Sequence, residues 1–198
     1  MANIHGLHSV GDSIIKFLHS TYPDTDDGMP SCQFQLISSG ELAEEPGDDT
    51  RLTLYIYRVT YNEHLRNSTM ARINNQRGIP LSLDLHFMIS IWSDSPVAEH
   101  TVCAWVMQQL HNHPILDVSS LTEDGGWQAD EVIQIIPAEL SNEDLMRIWD
   151  ALAPNYRLSI SYIARSVRIE PEALVESQPV VATRFNYSEK ALEEVNDA

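Results

Sequence analysis

Leu81-Ser-Leu-Asp-Leu-His-Phe-Met-Ile-Ser-Ile-Trp92 alternates from end to end. Successive side chains of an extended strand point to opposite faces, so Leu81, Leu83, Leu85, Phe87, Ile89 and Ile91 share one side. Ser82, Asp84, His86, Met88 and Ser90 share the other. Such a strand lays one face on a core and keeps the second polar or shared with a partner. Upstream, Arg51-Leu-Thr-Leu-Tyr-Ile-Tyr-Arg-Val59 carries aromatic and β-branched residues on both faces, as a central strand covered on two sides does. Downstream, Ser95-Pro96 supplies an N-cap and a proline at the first helical position. Val102, Val106 and Leu110, with Cys103 and Met107, then make an apolar stripe that Pro114 ends, and this helix is predicted to cross the core face of the sheet.

Further out the same signals repeat. Leu7, Val10, Ile14, Phe17 and Leu18 recur at spacings of three and four before Tyr22-Pro23, which predicts an amphipathic helix. A short strand is expected around Cys32 to Ile37, between acidic, turn-rich stretches at 24–30 and 40–50. Residues 131–136 read as a strand. Ser141 then caps a helix with Asp144 three residues on, Leu140 placed against Leu145, and Pro154 at its end. Tyr156 to Ile169 reads as a long last strand. The order is helix, three strands, helix, strand, helix, strand, which specifies an α+β fold with a largely antiparallel sheet and packed helices. Residues 1–170 are expected to form that domain. Residues 171–198, broken by Pro171 and Pro179 and with few apolar anchors, are expected to be an extended C-terminal arm ending in an acidic tail.

The chain has 198 residues, 43% of them hydrophobic, with 29 acidic against 12 basic side chains and a formal net charge of −17. A surface this negative repels phosphate backbones and anionic lipids, so neither nucleic acid nor a membrane is an expected partner. The first residues, Met1-Ala-Asn-Ile-His-Gly6, lack a basic start and a continuous apolar run, and no stretch approaches the roughly 20 apolar residues of a membrane span. Folding in the cytoplasm, without membrane insertion by this chain, is therefore expected. Cys32 and Cys103 are too few for a disulfide framework or a Cys-rich zinc site.

The positive charge is concentrated. Residues 51–77 hold Arg51, Arg58, Arg66, Arg72 and Arg77 against Glu63, and ten of the twelve basic residues are arginine, the side chain suited to paired contacts with carboxylates. The connection 61–79 is far longer than a hairpin needs, and long connections are usually functional or disordered. Arg66, Arg72 and Arg77 are therefore interface candidates. So are Asp84 and His86 on the polar strand face, and Phe185 and Tyr187 in the arm.

No convergent catalytic set is legible. His111 and His113 are two apart at a helix end, where they point to different faces and serve better as caps on the last carbonyls than as paired metal ligands. A metal-dependent hydrolase using them with Asp117 is disfavoured for that reason. Asp84 and His86 lack a nucleophile-elbow Ser or Cys. Gly125-Gly126 stands in an acidic loop that would repel phosphate, and the Asp24–Asp27 and Glu44–Asp49 clusters lack EF-hand spacing. No cofactor is expected, and the chain reads as a non-enzymatic assembly or binding domain.

Several ordered strings carry a resemblance. They are Leu54-Tyr-Ile-Tyr-Arg-Val-Thr-Tyr-Asn-Glu-His-Leu-Arg-Asn67, Pro80 to Trp92, Leu110-His-Asn-His-Pro-Ile-Leu-Asp117, Ile136 to Leu152 and Tyr156-Arg-Leu-Ser-Ile-Ser-Tyr162. From about Leu7 to about Tyr187 the sequence resembles the cap, or tube terminator, of phage-tail-like contractile injection systems of the virulence-cassette and antifeeding-prophage kind. The resemblance implies a tail-terminator-like fold and a non-enzymatic homohexameric ring at the distal end of the particle. Its partners would be the inner tube protein, whose growth it stops, and the sheath protein, whose distal end it holds. The alternative is a soluble adaptor binding a single protein partner through the basic 61–79 loop.

Overall fold

The computed structural model describes residues 1–24, 28–41, 49–62, 80–152 and 155–170. The elements are helix α1 (Gly6–Thr21), strands β1 (Gln33–Ile37), β2 (Arg51–Tyr61) and β3 (Leu81–Trp92), helix α2 (Pro96–Asn112), strand β4 (Ile115–Asp117), a 3-10 turn (Glu123–Gly125), strand β5 (Val132–Pro137), helix α3 (Asn142–Ala151) and strand β6 (Ser159–Ile169). They build a single six-stranded sheet in the order β1-β2-β3-β6-β5-β4. β1 runs parallel to β2, and every other neighbouring pair is antiparallel. The expected α+β fold is the observed one.

Two details of the elements differ from the sequence reading. The short strand β4 follows Pro114 directly and pairs with β5, a pairing invisible in three residues of sequence. The last strand begins at Ser159 rather than Tyr156. The caps are as expected: Ser95 Oγ accepts from Ala98 N at 3.4 Å, and Ser141 Oγ accepts from Asp144 N at 3.1 Å while its hydroxyl donates to the Asp144 carboxylate at 2.7 Å.

The core lies between one face of the sheet and α1 with α2. Leu52, Leu54, Leu85, Phe87, Ile89 and Ile91 from the strands meet Val10, Ile14 and Leu18 of α1 and Val102, Val106 and Leu110 of α2. The apolar stripe of α2 includes buried Trp105, whereas Met107, read as part of that stripe, is exposed. Trp105 packs edge-on against Tyr22, with Phe34 beside both. Side chains this size fix α2 by shape as well as by area.

The Gly125-Gly126-Trp127 loop is a structural clasp. Ser9 and Ser13 of α1 are fully buried. Trp127 Nε1 donates to Ser9 Oγ at 2.9 Å, and Thr122 N donates to Ser13 Oγ at 2.8 Å. Gly125 is needed where it stands, because a Cβ there would lie 2.2 Å from Trp127 Nε1 and 2.7 Å from Ser9 Oγ. Gly126 turns the chain with φ of 64°.

Candidate interaction surface

The second face of the sheet is divided in two. Over one half, α3 lies on a separate apolar cluster: Trp149 packs with Met88 and Trp92, joined by Tyr55, Tyr57, Leu145, Ile148 and Leu152. Trp92 and Trp149 meet edge to face at 5.9 Å, and Arg157 lies over the Trp92 ring at 5.5 Å. Trp92 Nε1 donates to Thr53 Oγ1 at 2.9 Å, whereas Trp149 Nε1 is buried without a hydrogen-bond partner among the described residues. Much of the β3 face read as polar is therefore a second core. Met88 is fully buried, and Ser90 two residues on is buried too. The sequence reading misplaced them because a helix distant in sequence supplies their cover.

Over the other half no described element lies on the sheet, and here Asp84 and His86 are brought together on one face, as the alternation requires. Asp84 is tied down at several points: its Oδ1 accepts from Asn62 Nδ2 at 2.9 Å and from Ser166 N at 3.1 Å, and its Oδ2 lies 3.8 Å from Arg165 Nε. His86 Nε2 shares a hydrogen bond with Thr60 Oγ1 at 3.1 Å. Burial, and then the charge of Arg58, hold the imidazole below its usual pKa, against the opposing pull of Asp84, which favours the neutral ring at pH 7. The Asp84 carboxylate is already committed to an arginine and to two N–H donors, and the hydroxyl that His86 engages is that of Thr60 on the same sheet face.

What frames this face is a set of arginines that sequence reasoning missed. Two β-bulges are responsible. Leu52, Leu54 and Ile56 alternate onto the core face of β2, opposite Ile91, Ile89 and Phe87, and simple alternation would send Arg58 there too. The extra residue Tyr57 shifts the register so that Arg58 pairs with His86 and comes out on the Asp84 face, while Val59 takes the core side. In β6, Ile160, Tyr162 and Ala164 face the core. An extra residue at Arg165-Ser166, with Ser166 at φ 68°, puts Val167 inward and Arg168 beside Ser82 on the outer face. Asp84 stabilises that bulge by accepting from Ser166 N. Three of the six described arginines thus stand on one half-face that no described element covers, in a strongly acidic chain. Arg58 and Arg168 are exposed and have no ion-pair partner among the described residues.

At the same end of the sheet the opposite face is apolar and open: Tyr61 is 73% exposed, with Val59 and Leu81 exposed around it. The other interface candidates, Arg66, Arg72, Arg77, Phe185 and Tyr187, lie outside the described residues, as do most of the 61–79 connection, the 171–198 arm and Asp26, Asp27 and residues 44–48 of the acidic clusters. Among the described residues, His111, His113 and Asp117 included, no three His, Cys, Asp or Glu side chains are grouped so as to hold a metal ion. His113 Nδ1 engages the Gln109 carbonyl at 3.1 Å, a helix-end cap, and Asp117 Oδ1 accepts from the amides and hydroxyls of Ser119 and Ser120. Among the described residues no helix is long and apolar enough to cross a membrane.

Comparison with known proteins gives a consistent result. The family model of the Pvc16 N-terminal domain matches residues 9–183. No curated protein sequence matches the chain. Among solved structures, the chain is similar to the PVC sheath/tube terminator of an extracellular contractile injection system in its extended state. The TM-score is 0.55 at 18% identity, covering 96% of this chain and 65% of that one. It is also similar to the tube-terminating cap of the anti-feeding prophage, with a TM-score of 0.55 at 16% identity, covering 90% of this chain and 60% of that one. At these identities the likeness is one of fold, and the chain spans less than two thirds of the length of either relative.

Proposed function

Because this chain belongs to the Pvc16 N-terminal domain family, we propose that it is a structural cap that ends the inner tube of a contractile injection system and holds the distal end of its sheath as a ring of six. The observation that carries the reading is that a tube-terminator fold extends over nearly the whole chain, 96% of it in one comparison. The role is mechanical. A terminator must present one surface to the tube, another to the sheath and two more to its neighbours, and a ring that closes needs complementary rather than identical patches. Charge set apart in arginine-rich and acid-rich regions supports that demand.

In this reading residues 1–170 are the ring domain and 171–198 an arm that acts between molecules, with Phe185 and Tyr187 as its anchors. Arg66, Arg72 and Arg77 of the long connection reach carboxylates of the tube or the sheath, and the assembled site is the distal end of the particle. The test is a native mass measurement of the terminator released from tubes, with electron microscopy of their ends. Six copies in a ring of tube diameter are expected, and any other stoichiometry overturns the ring. Deleting 171–198 is expected to leave a cooperatively melting domain that no longer retains sheath. Reversing Arg66, Arg72 and Arg77 to Glu is expected to leave folding intact and abolish capping, because exposed charges add only about 0–1 kcal/mol each to a monomer while desolvated interfacial pairs cost about 2–5 kcal/mol per partner removed.

A further inference from the structure

The outer sheet face is stepped and of two signs. One half has no described element lying on it and carries Arg58, Arg165 and Arg168. The other is built up by α3, whose surface away from the sheet is acidic. Leu145, Ile148, Trp149 and Leu152 point α3 into the sheet. Glu143 and Asp150, two turns apart, therefore stand on its far side with exposed Met146 between them, and exposed Glu139 precedes the helix. Arg147 is the one basic residue there, and it is paired with Glu143.

We infer that this face is where neighbouring copies join: the acidic back of α3 on one copy seats on the arginine-bearing half of the sheet on the next. The argument is charge and shape together. A chain of net charge −17 offers acidic surface at many points, but the described ion pairs leave Arg58 and Arg168 unengaged on a half-face with no described cover. The partner that meets them must be acidic and must stand proud enough to reach a sheet face that no described element covers. A helix carried on the other half of the same face has both properties. Arg165 is held ready by Asp84, which lies against its Nε end and leaves the side chain more than a third exposed. Guanidinium groups are the side chains that match carboxylates in pairs at interfaces. Met146 adds an apolar contact on the acidic side. Both patches lie on one face, so the contact either pairs two copies about a two-fold axis or, repeated head to tail with a rotation that closes, makes a ring. This assignment rests on the ring reading above and names the surface that makes it.

The test is a charge swap in the full chain, produced together with its own tube and sheath proteins. One variant carries R58E, R165E and R168E, a second carries E139K, E143K and D150K, and a third carries all six. Each is checked as a purified monomer by circular dichroism, with R58Q and R168Q, both at exposed positions, standing in if the first set does not fold. The first two variants are expected to lose at least tenfold in copies bound per tube end, and the third to recover most of that loss, since the signs match again. If either three-site variant assembles normally, or the six-site variant stays unassembled although folded, the contact is wrong. If the first variant keeps its copy number but exposes residues 171–198 to protease, the patch belongs to the chain's own acidic tail, and the inference falls. If the swap rescues assembly but the released particle is a two-fold dimer, the contact stands and the ring reading fails.

Discussion

Two buried tryptophans in the same cluster should respond in opposite ways to the same substitution. Trp92 and Trp149 are each only 3% exposed and lie edge to face at 5.9 Å. Trp92 Nε1 donates to Thr53 Oγ1, and Trp149 Nε1 donates to nothing among the described residues. Replacing an indole by a phenyl ring removes about 40 Å³, which at about 24 cal/mol per Å³ costs roughly 1 kcal/mol at either position. At Trp92 the change also breaks a buried hydrogen bond worth about 1 kcal/mol, so Trp92→Phe should cost about 2 kcal/mol. At Trp149 it removes a buried donor whose unmet demand costs about 1–3 kcal/mol, so Trp149→Phe should be neutral or stabilising. Trp149→Ala, by contrast, should cost about 3–5 kcal/mol and release α3 from the sheet. Urea unfolding of the three variants, followed by circular dichroism with the slopes compared, measures these differences. A shift of about 2–4 °C in Tm per kcal/mol gives a second reading for a domain of this size. The reasoning is refuted if Trp149→Phe costs as much as Trp92→Phe.

Gly125→Ala drives a Cβ to within 2.2 Å of Trp127 Nε1 and should lower stability by about 1–3 kcal/mol, read as a fall in Tm and a change in Trp fluorescence. Asp84→Ala removes the acceptor of Ser166 N and should cost about 2 kcal/mol, whereas Asp84→Asn, which keeps an acceptor oxygen, should recover most of that; equal losses would mean the bulge does not depend on this bond. Burial pushes the Cys32 thiol up to about 12 and the Tyr22 phenol up to about 12, with the Tyr22 hydroxyl donating to the Pro30 carbonyl at 2.6 Å. The folded protein holds these protons more tightly than the unfolded chain, so their contribution is complete below about pH 9 and is lost as pH rises toward 12. Thermal melts across that window should show the loss, and a Cys32→Ser, Tyr22→Phe variant that loses stability as steeply as the parent would exclude these groups as its source.

The sequence by itself determined the elements. Alternation in Leu81–Trp92, the Ser95-Pro96 and Ser141 caps, and the apolar spacing of α1 each depend on contacts within a few residues, so they are written locally and the structure repeats them. The resemblance was legible for the same reason, since its strings follow those elements in order. Strand order, register and cover were decided only in the tertiary structure. Nothing near Met88 or Ser90 announces that α3, more than fifty residues on, will bury them, and nothing in a strand of three residues announces β4. The arginine face shows this most clearly. Counted by twos from Leu52, Arg58 belongs on the core face, and counted from Ile160, so does Arg168. One extra residue in each strand reverses both, because a bulge resets the parity of everything beyond it. A bulge is fixed by what the facing strand offers, here the Asp84 carboxylate for the Ser166 amide, and that pairing spans 82 residues of chain.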